Sequence, residues 1–388
     1  MSGLFWKRPG ARIKLEITKS FRKTDNPLKT VETFLRDLNK IHKTIPYVID
    51  INLVKCFLNS SLCSRLPKAG QIRFAVHSTV FDYLMDDQMQ SENRKATEGT
   101  IFYKVEGIHF PVSRITDYYD YWYVEPTTRT IQNNAMAFLT PLIEARHIGK
   151  YSVYCDRDLK MFLKQLQRST HLSCNRTLAR NLLKSYRPKT PVIPDSFIDH
   201  LAALRNIFYA VQVYPFLHGG TLLGWYRECR ILPHTNDVDL IFHATELTPQ
   251  FENLLYSLRK PPCTLTKIFG YFNDSYQVQL FCRGGVRVDL EPVYQDDRCV
   301  IDNRKVGCDW MGGTAKQTLK YKYTYRFGAH AKICNADLGG YLFFVPCKIE
   351  EILNRTYGPS WSHTVDTKYH WRKSPRNIQQ MQDWKRPF

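Results

Sequence analysis

Between residues 28 and 43, Val31, Phe34, Leu35, Leu38 and Ile41 recur every three to four positions, a spacing that predicts an amphipathic helix with Thr30 as a candidate cap. Short β-rich runs follow at 47–54, 72–77 and 101–105, and helices are predicted over 135–146 and 157–166. The segment 185–195 carries Pro188, Pro191 and Pro194 and ends in Asp195, a good helix cap, which makes it the best candidate domain boundary. Beyond it, Ile198, Leu201, Leu204, Ile207, Phe208 and Val211 form an apolar helical face. A strand at 214–217, a Gly-Gly turn, a short helix at 221–228 and a strand at 237–242 come next. A helix at 247–258 and strands at 264–270, 277–282 and 286–290 complete the pattern. The reading is α/β (α+β) in three parts: an irregular basic lead (1–27), an N-terminal α/β domain (28–190) and a C-terminal domain (195–388). The middle part shows no constellation tied to chemistry, so a stem-like or partner-binding role is its default.

The 388 residues, 43% hydrophobic and 13% aromatic, suffice for two packed domains and exclude a disordered polymer. No segment approaches the ~20 apolar residues of a membrane-spanning helix. The apolar stretch 47–58 is broken by Asp50, Asn52 and Lys55. The first 24 residues carry seven basic side chains and no apolar core, so no signal peptide is visible and the chain as written reads as soluble. The net charge of +19 suits a polyanionic partner or a phosphorylated substrate. It is spread along the chain, without a basic strip interleaved with aromatics, and nucleic acid is therefore disfavoured. Eleven cysteines show no zinc spacing, and their odd number leaves at least one thiol unpaired. Several disulfides would suit a lumenal chain. Sequons starting at Asn59, Asn175, Asn273 and Asn354 hint at secretion.

Chemistry concentrates in 218–242, His-Gly-Gly-Thr-Leu-Leu-Gly-Trp-Tyr-Arg-Glu-Cys-Arg-Ile-Leu-Pro-His-Thr-Asn-Asp-Val-Asp-Leu-Ile-Phe. Strand alternation puts Asp237 and Asp239 on one face, with Val238, Leu240 and Phe242 on the other. Two adjacent carboxylates repel unless a cation neutralises them, and Mg²⁺ or Mn²⁺ fits such oxygen ligands. In 286–290, Val-Arg-Val-Asp-Leu, Arg287 and Asp289 share the polar face, and a neighbouring strand ~4.8 Å away would bring Asp289 to the pair. Gly219, Gly220 and Thr221, opening a short helix, and Arg227 further along it are candidates for binding phosphate, with Arg287 as a second counter-charge. Taken singly, each element has an ordinary structural explanation; their order is the informative feature. The chain lacks GxxxxGK[ST] and GxGxxG loops.

Gly-Gly, Asp-hydrophobic-Asp-hydrophobic and hydrophobic-Asp-hydrophobic, in that order, resemble the nucleotidyltransferase superfamily. Residues 219–242, with Gly-x-Leu-Leu-Gly-x-x-Arg, an Ile-Leu-Pro turn and Asp-Val-Asp-Leu, are similar to the fukutin and LicD-type phosphotransferases. Val345-Pro346, Glu350, Tyr357-Gly358, Trp361 and the 371–377 segment extend the likeness to the fukutin-like branch, over roughly 196–388. The resemblance implies a mixed sheet with flanking helices, Asp237, Asp239 and Asp289 as metal ligands, and Gly219, Gly220 and Arg227 along a donor diphosphate. It implies transfer of an alditol phosphate from a CDP-linked donor to an O-glycan hydroxyl on a glycoprotein, with CMP leaving and Asp289 as the candidate base. Other glycosyltransferases are implied as partners, and a Golgi location, although no anchor is visible and the cytoplasm stays open. Two departures stand out. His234-Thr235-Asn236 replaces the denser acidic run of LicD-type members, so any metal ligand there is lost, and the membrane anchor of fukutin-like enzymes is not visible. Separately, Lys316, Lys320 and Lys322 form a basic stretch that could reach phosphate but is better read as a solvated face. A non-catalytic scaffold and an RNA-directed nucleotidyltransferase are the alternatives.

Overall fold

The computed structural model describes residues 27–40, 42–88, 95–97, 100–105, 108–125, 135–185, 190–259, 261–296, 300–301, 304–305, 308–314, 321–328, 332–363 and 378–382. Apart from Pro27, the basic lead lies outside them, as do Lys316, Lys320 and the 371–377 segment. The side chain of Lys322 is also not described. Contacts divide the chain into two compact units, one comprising 1–117 and 122–167, the other 118–121 and 168–388. The proline-rich segment at 185–195 thus lies inside the second unit. The helix Arg176–Ser185 precedes that segment and is tied into the unit by the Cys174–Cys229 disulfide at its start.

In the first unit the helix Pro27–Lys40 buries Leu28, Val31, Phe34, Leu35 and Leu38, and Thr30 falls inside it rather than at its cap. A mixed sheet runs in the order Lys95–Thr97, Thr100–Val105, Ile108–Asp117, Phe74–His77, Tyr47–Val48, Tyr151–Asp156, Ile143–Ile148. Two sequence expectations are corrected here. The run 47–54 is a strand only at Tyr47–Val48 and then becomes the helix Ile51–Leu58. The Asp50 carboxylate accepts from the N–H groups of Asn52 (2.8 Å) and Leu53 (3.1 Å), and this local cap outweighs the β-branched composition. The helix expected over 135–146 is instead two strands, Met136–Leu139 and Ile143–Ile148. Pro141 between them interrupts helical hydrogen bonding, and Ile143–Ile148 pairs antiparallel with Tyr151–Asp156.

The second unit is built on a mixed sheet, in keeping with the α/β class. From one edge the order is His171–Leu172, Ile333–Leu338, Tyr341–Pro346, Phe216–Leu217, Asp237–His243, Arg287–Asp296. The strand Asp274–Cys282 also pairs antiparallel with Arg287–Asp296, and Cys263–Tyr271 pairs with it in turn. The helix Phe197–Tyr209 buries Phe197, Leu201, Leu204 and Phe208. Val238, Leu240 and Phe242, at 0%, 2% and 0% exposure, point into the same core as Val288 and Leu290. Each such side chain contributes roughly 1.5–3 kcal/mol by burial. That apolar face holds the opposite, carboxylate-bearing face in place.

Candidate functional site

The two aspartate-bearing strands, Asp237–His243 and Arg287–Asp296, are parallel neighbours in register. Asp237 pairs with Arg287 and Asp239 with Asp289. The polar faces expected from alternation therefore coincide, and carboxylate oxygens of Asp237, Asp239 and Asp289 lie within 4.8 Å of one another. All three side chains are partly buried. Burial, reinforced by the Asp237 and Asp289 charges, pushes the Asp239 carboxyl up to about 8. Burial also raises Asp289, against the opposing pull of Arg287. Three acidic groups so placed, one of them held protonated at neutral pH, make a donor set that fits a hard divalent cation.

Arg287 supplies a counter-charge within the site. Its guanidinium donates to Asp289 at 3.1 Å and closes an ion pair with Asp237. It was expected to face a donor phosphate; its contacts here are to the carboxylates. The Thr235 hydroxyl donates to Asp237 (2.7 Å), and the Gln279 amide donates to Asp289 (3.2 Å) from the neighbouring strand. In the sequence Thr235 stands out only as part of the segment that replaces an acidic run, and Gln279 does not stand out. The usable signal for Gln279 was the polar alternation of Gln277 and Gln279 within an otherwise apolar strand. Glu291, next along the Asp289 face, was also missed; burial and then the charges of Asp289 and Asp239 hold its carboxyl well above its usual range.

The helix Gly219–Glu228 starts against Asp239. Gly219 has a φ of +51°, and a Cβ built there would lie 2.5 Å from the Asp239 carboxylate. The Gly220 N–H donates to Asp239 Oδ2 (3.1 Å), and the buried Thr221 hydroxyl accepts from the Asp239 N–H (2.9 Å). Gly220 and Thr221, read from sequence as phosphate binders, therefore engage Asp239. The reason is steric, since only a chain without a side chain at Gly219 can come this close. At Gly224, a Cβ would meet the Arg230 carbonyl at 2.7 Å, so glycine lets the Ile231-Leu232-Pro233 turn fold back against the helix. The Cys174–Cys229 disulfide anchors the far end of the helix. His218, just before the helix, is buried and its imidazole is pushed down to about 4, which keeps it neutral.

Arg227 is corrected more sharply. Its side chain is 2% exposed and bonds Glu228 (2.7 Å) and the Trp361 carbonyl (3.0 Å). It stands seven residues along the helix from Gly220, about 10 Å by helical rise. Buried and paired, it clamps the helix to the 359–362 turn instead of presenting a charge to a donor. We expect Arg227→Ala to lower stability by about 3 kcal/mol, because Glu228 loses its buried partner. Calorimetry should register this as a fall in Tm of about 10 °C. Turnover per folded molecule should be unchanged; a normal Tm with a raised donor KM would restore the phosphate role.

Residues 212–348 match the LicD/FKTN/FKRP nucleotidyltransferase domain, a span containing the glycine helix and all three aspartates. An uncharacterised Caenorhabditis elegans protein is 35% identical over 231 residues, 58% of this chain and 58% of that protein. A second uncharacterised protein of that worm is 33% identical, over 58% of this chain and 57% of its own length. The human ribitol-5-phosphate transferase FKTN is 25% identical over 64% of this chain and 51% of its length. The match thus spans between half and three-fifths of each of these relatives. Over residues 212–348 the chain is similar to the LicD/FKTN/FKRP nucleotidyltransferase domain, and over about three-fifths of its length it is similar to fukutin and to these two worm proteins.

Proposed function

We propose that this chain is a metal-dependent phosphotransferase that moves an alditol phosphate, of the ribitol-phosphate kind, from a CDP-linked donor to a sugar hydroxyl of a glycoprotein glycan. The observation that carries this reading is the cluster of Asp237, Asp239 and Asp289 within the LicD/FKTN/FKRP domain. The family's curated relatives include ribitol-5-phosphate transferases. Mg²⁺ or Mn²⁺ held by the three carboxylates would neutralise the donor diphosphate. The acceptor oxygen bonds to phosphorus as the bond to CMP breaks, and the hydroxyl proton passes to a carboxylate. Asp289 is our candidate for that base, oriented by Gln279 and Arg287. Arg287, which bridges Asp237 and Asp289, would supply a positive charge beside the phosphoryl group being transferred.

We place the protein in the oxidising lumen of the secretory pathway, with the Golgi as the compartment that its fukutin likeness favours. Four disulfides among the described residues support this: Cys56–Cys63, Cys174–Cys229, Cys263–Cys282 and Cys334–Cys347. Among the described residues no helix is long and apolar enough to cross a membrane.

The direct test incubates the protein with Mn²⁺, glycan acceptors and, in turn, CDP-ribitol, CDP-glycerol or CDP-choline. Acceptor-dependent CMP release from the alditol donors is expected. Silence with all three would mark a non-catalytic scaffold.

The raised Asp239 carboxyl also has a pH signature. In the unfolded chain this group ionises near its usual 3.8, and in the folded protein near 8. Its contribution to stability is therefore full below about pH 4 and is lost as the pH rises towards 8. The metal-free protein should accordingly lose Tm across that window. Mn²⁺ must displace the Asp239 proton, so its affinity should rise about tenfold per pH unit and level off near pH 8. Titration calorimetry from pH 6 to 9 checks this; a flat profile would show Asp239 to be no ligand.

A further inference from the structure

The four sequons are not used by the site chemistry, and the structure separates them. Asn175 is partly buried, and its carboxamide oxygen caps the next helix by accepting from the Leu178 N–H at 2.9 Å. Asn273 is exposed, but the Ser275 that completes its sequon is 1% exposed and directs its hydroxyl to Asp274. The Asn354 carboxamide accepts from the Trp361 indole at 3.0 Å, and the Thr356 of its sequon is buried.

Asn59 differs from all three. Asn59, Ser60 and Ser61 are exposed; Asn59 lies between the helix Ile51–Leu58 and the 3₁₀ turn Ser60–Arg65, which Ser60 and Ser61 open. The Asn59 carboxamide oxygen accepts from both the Ser61 N–H (3.0 Å) and the Ser61 hydroxyl (2.8 Å). The sequon hydroxyl is therefore already drawn to the acceptor amide, and Nδ2 makes no hydrogen bond among the described residues. Both bonds span two residues, so the turn forms from local sequence and is available to a nascent chain before tertiary folding. In the folded protein the same side chain faces solvent, where a bulky glycan displaces no packing.

We propose that Asn59 is an N-glycan attachment site. Asn59 Nδ2 bonds to the anomeric carbon of a lipid-diphosphate-linked oligosaccharide, the bond from that carbon to the diphosphate oxygen breaks, and the lipid diphosphate leaves as the amide proton is released. The proposal rests on the lumenal placement above, so the test separates the two. The full chain is expressed in eukaryotic secretory cells, once unaltered and once behind an added cleavable signal sequence. Each product is treated with peptide N-glycosidase in H₂¹⁸O and the Asn59 peptide is weighed. In the signal-directed protein we expect conversion of Asn59 to ¹⁸O-labelled Asp. Asn59→Gln and Ser61→Ala should each lose one glycan, and Ser61→Thr should keep it. An unmodified Asn59 in secreted protein with its Cys56–Cys63 disulfide intact would overturn the site. Modification of the signal-directed chain, with the natural protein found by immunolocalisation outside the secretory pathway, would overturn only the lumenal placement.

Discussion

Asp239→Asn is expected to abolish tight Mn²⁺ binding and to cut acceptor-dependent CMP release by about 10³-fold. The substitution retains a carbonyl oxygen to accept from the Gly220 N–H, so the glycine helix keeps its contact with the strand. What it removes is the carboxyl that a bound cation would deprotonate, the group paired in register with Asp289 and close to Asp237. The metal-free variant should melt at a higher temperature than the parent at pH 9, where Asp239 is charged among like charges, and at the same temperature near pH 4. Electron paramagnetic resonance of Mn²⁺ measures the first effect and calorimetry the second. Parental Mn²⁺ affinity in this variant would remove the metal reading at its root.

Gly219→Ala should be nearly as damaging, although it alters no charge. The φ of +51° at Gly219 is one that alanine adopts at a cost of about 1 kcal/mol. The new methyl would lie 2.5 Å from the Asp239 carboxylate, which would have to move. A displacement of about 1 Å in a reacting constellation costs roughly 10²-fold in rate, and we expect losses of that order in turnover and Mn²⁺ affinity. Gly220→Ala is the informative partner. Its Cβ would stand 3.7 Å from the same oxygen, in ordinary contact, and it has no positive φ. It should stay within a few-fold of the parent in both measurements. Equal behaviour of the two variants would mean that close approach at Gly219 does not hold the site.

Much of the second unit was legible because its elements follow local rules. The helix before Phe216, the glycine helix and the hairpin of Cys263–Tyr271 with Asp274–Cys282 lie close to where periodicity and turn residues put them. Where the first unit departs from its periodicity the causes are equally local, the Asp50 cap and Pro141. In the site, Asp237, Asp239, Arg287 and Asp289 were readable because a strand's period of two sorts polar from apolar without reference to any other strand. The roles of Gly220, Thr221 and Arg227 were not, since a backbone N–H, a hydroxyl or a guanidinium looks the same in sequence whether it meets a phosphate or a neighbouring residue.

The sequence by itself determined which side chains share a face, and it carried the family pattern of Gly-Gly and three aspartates. Tertiary structure decided that two strands some fifty residues apart pair in parallel and in register, bringing Asp239 beside Asp289. It also decided that Thr235, Gln279 and Gly220 orient the carboxylates while Arg227 is buried elsewhere. The division is physical: side-chain periodicity follows from the geometry of a single strand, whereas register and hydrogen-bond partners depend on burying apolar surface between segments distant in the chain.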